Sequence, residues 1–131
     1  MEKQYRAAFT SDIRNVAAAR QGIAAFAAQC GFAEHDVSDI RLAAGEALSN
    51  AVEYGSEGRK ITVYCSFDGD TLSIEIEDGG EAFAEPAAGE SVGPDDRGRG
   101  FGIFLMRRLM DDVTFAANGG AVRLTRRLLA P

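Results

Sequence analysis

The chain has no tryptophan, one histidine and two cysteines. A single histidine, His35, cannot build a multi-histidine metal centre and leaves a Ser-His-Asp mechanism little to work with. It lies in the polar run Glu34-His35-Asp36 and reads as a solvated residue at a helix entry. Cys30 and Cys65 lack the paired spacing of a zinc site, so reduced thiols are expected. No apolar run approaches the roughly 18 residues of a membrane helix. The charged start, Met1 to Arg6, lacks the apolar stretch of a signal peptide. The expectation is a cytoplasmic protein with no membrane partner. Basic residues are also in deficit: 14 Lys and Arg stand against 20 Asp and Glu, a net charge of −6. That balance argues against nucleic acid as a partner.

What remains is an ordinary globular chain of 131 residues, 46% hydrophobic and 26% charged. Its length suits one compact domain, residues 1–131. Apolar alternation predicts a strand from Tyr5 to Phe9. Ser11 or Asp12 can cap a helix running to Gln29, with Ile13, Val16, Ala17, Ile23, Ala24 and Ala27 on its inner face. Gly22 within it suggests tight packing, and Gly31 ends it. A second helix spans Glu34 to Tyr54, its buried stripe formed by Val37, Ile40, Ala44, Ala47 and Ala51. The period then changes to two. Ile61, Val63, Cys65 and Phe67 form one strand, and Leu72, Ile74 and Ile76 form the next. The Asp68-Gly69-Asp70 turn joins them. Regular patterning stops between Gly79 and Arg97, a stretch that includes Pro86 and Pro94. A long structureless stretch in a small domain is often a lid or binding loop, here 84–97. A helix over Phe101–Met110 and strands at Val113–Ala117 and Ala121–Leu128 complete the order. The fold class is α+β: helices on one face of a mixed, mostly antiparallel sheet.

Three segments carry candidate chemistry. Glu46, Asn50 and Glu53 fall on one side of the second helix, off its buried stripe. A carboxylate can take a proton and an amide oxygen can ligate Mg²⁺; the same pattern also fits a solvated polar face. Asp78 ends a strand before Gly79-Gly80, in the run Asp78-Gly79-Gly80-Glu81-Ala82-Phe83. Such a carboxylate can accept a hydrogen bond from the exocyclic amine of adenine, with glycines letting the base approach. A plain Asp-Gly turn is the other reading. Gly98-Arg99-Gly100-Phe101-Gly102 opens the third helix, where exposed N–H groups and the helix dipole favour phosphate, with Arg97 and Arg99 adding charge. No Gly-Lys-Ser/Thr follows, so this is no P-loop, and a flexible hinge is the alternative.

Taken in order, these segments resemble the GHKL ATPase superfamily with the Bergerat ATP-binding fold. Within it, the chain resembles the small bacterial serine/threonine kinases that act as anti-sigma factors. Glu46-Ala47-Leu48-Ser49-Asn50-Ala51-Val52 is similar to the family's N-box. Asp78 to Phe83 is similar to its first glycine box, and Gly98 to Met106, running on to Val113, to its second. The resemblance implies a two-layer α/β sandwich binding ATP and Mg²⁺. It makes Glu46 the general base, Asn50 the Mg²⁺ ligand and Asp78 the adenine reader. Gly80, Phe83, Arg97, Gly98, Arg99, Gly100 and Gly102 would shape the nucleotide pocket. Its partners would be a STAS-type antagonist, phosphorylated on Ser or Thr, a sigma factor or analogous regulator, and a second copy in a homodimer. Tyr54 stands where members often carry a basic residue or histidine, and Gly120-Ala121 where they often carry Gly-Thr. A nucleotide-dependent sequestering module without kinase activity is the alternative. The catalytic domain of a histidine kinase is disfavoured, because no helical pair with a phosphoacceptor histidine is present.

Overall fold

The computed structural model describes residues 2–55, 58–80, 82–83 and 99–129. The elements are β1 (Lys3–Thr10), a 3-10 turn (Ile13–Asn15), α1 (Val16–Gln29), α2 (Glu34–Tyr54), β2 (Lys60–Phe67), β3 (Thr71–Glu77), α3 (Arg99–Leu109), β4 (Asp112–Phe115) and β5 (Ala121–Arg127). One five-stranded sheet has the order β1-β2-β3-β5-β4. Its ladders among the described residues are all antiparallel, so the parallel component of the expected mixed sheet is absent from them.

Period-two patterning explains the layers. Ile61, Val63, Cys65 and Phe67 on β2 are buried together with Leu72, Ile74 and Ile76 on β3 and Val122 and Leu124 on β5. These side chains share one face of the sheet and pack under the helices, each fully buried aliphatic contributing about 1.5–3 kcal/mol. The opposite face is polar. Arg6, Tyr64, Glu75 and Arg123 stand in one cross-strand row. Along it the Arg6 guanidinium lies 5.3 Å from the Tyr64 ring centre, and Arg123 Nη2 lies 3.5 Å from Glu75 Oε2. The β2–β3 turn is fixed by Asp68, whose Oδ1 accepts the N–H groups of Asp70 at 2.8 Å and Thr71 at 2.7 Å. Gly69 supplies the positive φ of 99° that this turn requires.

The helical layer follows the expected stripes except at Ile13 and Ala17, both of which are exposed. Asp12 caps the 3-10 turn by accepting the Arg14 N–H at 2.9 Å. Because α1 proper starts only at Val16, Ile13 sits in that turn, 65% exposed, and takes no part in the inner face assigned to it. The α2 stripe of Val37, Ile40, Ala44, Ala47 and Ala51 is buried throughout. Gly22 packs tightly, since a Cβ there would stand 3.2 Å from Tyr5 Cζ. Gly45 plays the same part on α2, where a Cβ would stand 2.9 Å from Arg20 Cδ. The Arg20 stem of α1 therefore crosses α2 one residue before Glu46.

At the far end of α2 from Asn50, Arg126 of β5 ties three elements together. Its Nη2 donates to Asp36 Oδ1 at 2.6 Å and lies 3.6 Å from Asp39 Oδ2, both near the start of α2. Its Nη1 donates to the Leu109 carbonyl at the end of α3, satisfying an acceptor that the helix cannot satisfy internally. The side chain is 17% exposed, between the limits of a surface pair and a buried one. Arg126→Ala is expected to cost about 2 kcal/mol of stability, read by urea denaturation. Arg126→Lys should recover less than half of that, because an ammonium cannot fork between a carboxylate and a carbonyl. An unchanged midpoint for the alanine variant would remove the clamp.

Candidate functional site

The site begins with two side chains one turn apart on α2. Glu46 is half-buried and Asn50 is buried, with 7% of its surface exposed. Both lie off the apolar stripe, and the reason they are covered is α3. A Cβ on Gly102 would stand 3.3 Å from Glu46 Oε1, 3.5 Å from Asn50 Nδ2 and 3.6 Å from Asn50 Oδ1. The bare glycine lets the first turn of α3 lie against the carboxylate and the amide. Burial pushes the Glu46 carboxyl above its ordinary value of 4.5. Glu53, on the same side of the helix, is exposed near its end.

The second glycine segment enters the helix earlier than expected. Helix α3 begins at Arg99 rather than Phe101, which places Gly100 and Gly102, both buried, in its first turn. The opening N–H groups of a helix have no intrahelical acceptor and carry its positive dipole end, so they can receive an anion. Arg97, Gly98 and the expected lid at 84–97 lie outside the described residues.

Asp78 follows the last residue of β3 and is 1% exposed. Its carboxylate organises its own turn: Oδ1 accepts the Gly80 N–H at 2.8 Å and Oδ2 the Ala82 N–H at 3.0 Å. Gly79 has a φ of 74°, which a side chain would strain. The β4–β5 turn holds the segment from the other side. Asp78 N–H donates to the Gly120 carbonyl at 3.0 Å and Phe83 N–H to the Gly119 carbonyl at 2.9 Å. The Phe83 ring is buried with the core, so Phe83 anchors the turn from beneath. Gly55, just past α2, borders the same carboxylate, since a Cβ there would stand 3.0 Å from Asp78 Oδ2. An ionised carboxylate has about four acceptor positions. Among the described residues, the turn uses one on each oxygen.

The structure thus brings Glu46, Asn50 and Gly102 into one group and Asp78, Gly80 and Phe83 into another, joined by α2 and its Gly55 end. Asn50 offers an amide oxygen, a hard donor of the kind Mg²⁺ accepts. Sequence reading missed Gly45, Gly55 and Arg59. Their signal was faint, because each acts through space left for a partner from another segment. Asp78→Asn turns one acceptor into a donor facing a backbone N–H. Such a mismatch costs about 1–3 kcal/mol, expected as a lower denaturation midpoint together with weaker ATP binding by calorimetry. Unaltered ATP affinity would remove Asp78 from base recognition.

Residues 9–126 match a family described as a histidine kinase-like ATPase domain. The chain is 31% identical to the serine-protein kinase RsbW of Listeria monocytogenes over 109 residues, covering 75% of this chain and 69% of the relative. It is 29% identical to the protein of that name from Halalkalibacterium halodurans over 123 residues, 87% of this chain and 76% of the relative. The Oceanobacillus iheyensis protein of that name is also 29% identical, over 126 residues, 88% of this chain and 80% of the relative. The matched stretch takes in both halves of the site, from α2 through Asp78 to α3, and the chain belongs to the histidine kinase-like ATPase family.

Proposed function

We propose that the chain is a single ATP-binding domain acting as a serine/threonine kinase and anti-sigma factor of the partner-switching type. The observation that carries this reading is the contact of Gly102 with Glu46 and Asn50. It sets a helix N-terminus suited to phosphate beside a carboxylate able to take a proton. Asp78 would read the adenine amine, while Gly80, Gly98, Gly100 and Gly102, with Arg97 and Arg99, would shape the pocket and cradle. Asn50 would hold Mg²⁺, which when bound would neutralise charge on the phosphates. Phosphoryl transfer asks mainly for positioning and charge neutralisation. The acceptor hydroxyl oxygen attacks the γ-phosphorus, the bond from phosphorus to the ADP oxygen breaks, and the hydroxyl proton passes to Glu46.

The acceptor in this reading is a STAS-type antagonist, phosphorylated on Ser or Thr. The other partner is a sigma factor or analogous regulator, bound by a homodimer in the cytoplasm. Among the described residues no helix is long and apolar enough to cross a membrane, and the net charge of −6 disfavours nucleic acid.

Two measurements test the assignment. Glu46→Gln should retain ATP binding and lose about 10²- to 10⁴-fold in phosphotransfer to an authentic antagonist. A wild-type rate in the variant would remove Glu46, and no transfer by the wild type would favour the sequestering module. The pH profile gives a second readout. A general base works only when deprotonated, so the rate must fall as pH drops through its pKa. Because burial raises that pKa, the acid limb should lie above pH 4.5. The residual rate of Glu46→Gln should lack that limb.

A further inference from the structure

Arg59 lies between α2 and β2, outside the segments that carry the family resemblance. It nevertheless touches the base-reading turn. Its Nη1 donates to the Gly79 carbonyl. A Cβ at Gly79 would stand 3.4 Å from that nitrogen, and one at Gly80 would stand 3.3 Å from it. The guanidinium thus lies along the bare backbone of both glycines. The same Cβ position at Gly80 is also 3.6 Å from Asp78 Oδ2, so the glycine borders both the guanidinium and the carboxylate. The backbone of Arg59 is itself anchored, its carbonyl accepting the Ser11 N–H at 2.6 Å beyond the end of β1.

We infer that Arg59 is a positioning residue for nucleotide selection, holding the Gly79-Gly80 turn so that the Asp78 carboxylate meets adenine in one geometry. The inference rests on the reading of Asp78 as the adenine reader. Its physical basis is the position of Gly79, whose positive φ and missing side chain leave the peptide free to rotate. The internal bonds of the turn run from Gly80 and Ala82 to Asp78 and leave the Gly79 carbonyl free. Arg59 supplies the donor for that carbonyl. A planar guanidinium is suited to this, because its fork is rigid and loses little freedom on forming the bond. Without it the turn would sample more orientations, and the carboxylate it frames would lose selectivity for a base amine over a base carbonyl.

The effect is separable from simple attraction of phosphates by a positive charge. Attraction would act on ADP and GDP alike, whereas a loosened base turn weakens only the nucleotide whose base it recognises. In the full chain, ADP and GDP affinities measured by competition should therefore diverge from the wild-type ratio. Arg59→Ala is expected to bind ADP roughly tenfold more weakly, the loss of one charge-assisted hydrogen bond, with GDP unchanged. Arg59→Lys, which keeps the charge and a single donor, should give an intermediate ratio, and it serves if the alanine variant fails to fold. Amide exchange at Gly80 and Ala82 should quicken in the alanine variant. An equal loss for ADP and GDP would overturn the inference, as would an unchanged ratio in both variants. A wild type that binds ADP no better than GDP would overturn the reading of Asp78, and this inference with it.

Discussion

Gly102 carries no side chain, and a Cβ there would crowd Glu46 and Asn50 at 3.3 to 3.6 Å. Much of the site's arrangement depends on that vacancy. Helix α2 can present a carboxylate and an amide one turn apart, but alone it would leave both in water. There the carboxylate would be an ordinary solvated acid. When α3 lies against them, Asn50 is buried, Glu46 is half-buried with a raised pKa, and the start of α3 is fixed beside them. A larger residue at 102 would have to push α3 outward or displace the two polar side chains.

The second half of the site rests on a different kind of constraint. Asp78 is nearly inaccessible, and a buried carboxylate without partners would be costly. The chain supplies those partners from its own turn, through the Gly80 and Ala82 N–H groups. The β4–β5 turn then pins the segment by two backbone bonds from Asp78 and Phe83 to Gly120 and Gly119. In the proposed function, ligand reading would fall on the same carboxylate that organises the turn. That combination explains why the turn contains glycines on both sides of the contact: Gly79 and Gly80 in the turn, Gly119 and Gly120 against it, and Gly55 at the end of α2.

Elements with a strong period were legible in the sequence. The bounds of α2 agree with its stripe, and the β2–β3 hairpin agrees with its alternation and its Asp-Gly turn. Boundaries set by local bonding were not legible. Ile13 fits a helical stripe by spacing but lies outside α1, because Asp12 caps a 3-10 turn first. Gly100 lies inside α3, whose described residues begin at Arg99, and does not precede it. Glu46, Asn50 and Asp78 could be singled out because carboxylates and amides at such positions are chemically conspicuous. The burial of Asn50 could not, since a stripe drawn on one helix does not show where another helix will lie. Arg59 was invisible for a similar reason: its partner is a carbonyl, and carbonyls leave no trace in a sequence.

The distribution of fixed contacts also explains how a small domain can hold Glu46 and Asn50 in a fixed arrangement. Helix α2 is 21 residues long, so an error in its tilt at one end would become a displacement of Asn50 at the other. Arg126 controls the distant end, joining Asp36, Asp39 and the Leu109 carbonyl, so the start of α2 and the end of α3 share one anchor on β5. With those ends fixed together, the angle between the helices is set at a point removed from the ligand. Nearer the site, the bare Gly102 lets α3 lie against Glu46 and Asn50. In the proposed mechanism the Glu46 carboxylate must be free to take a proton, and an ion pair at that point would occupy it. Placing the electrostatic clamp far from the site and a bare glycine within it satisfies both demands.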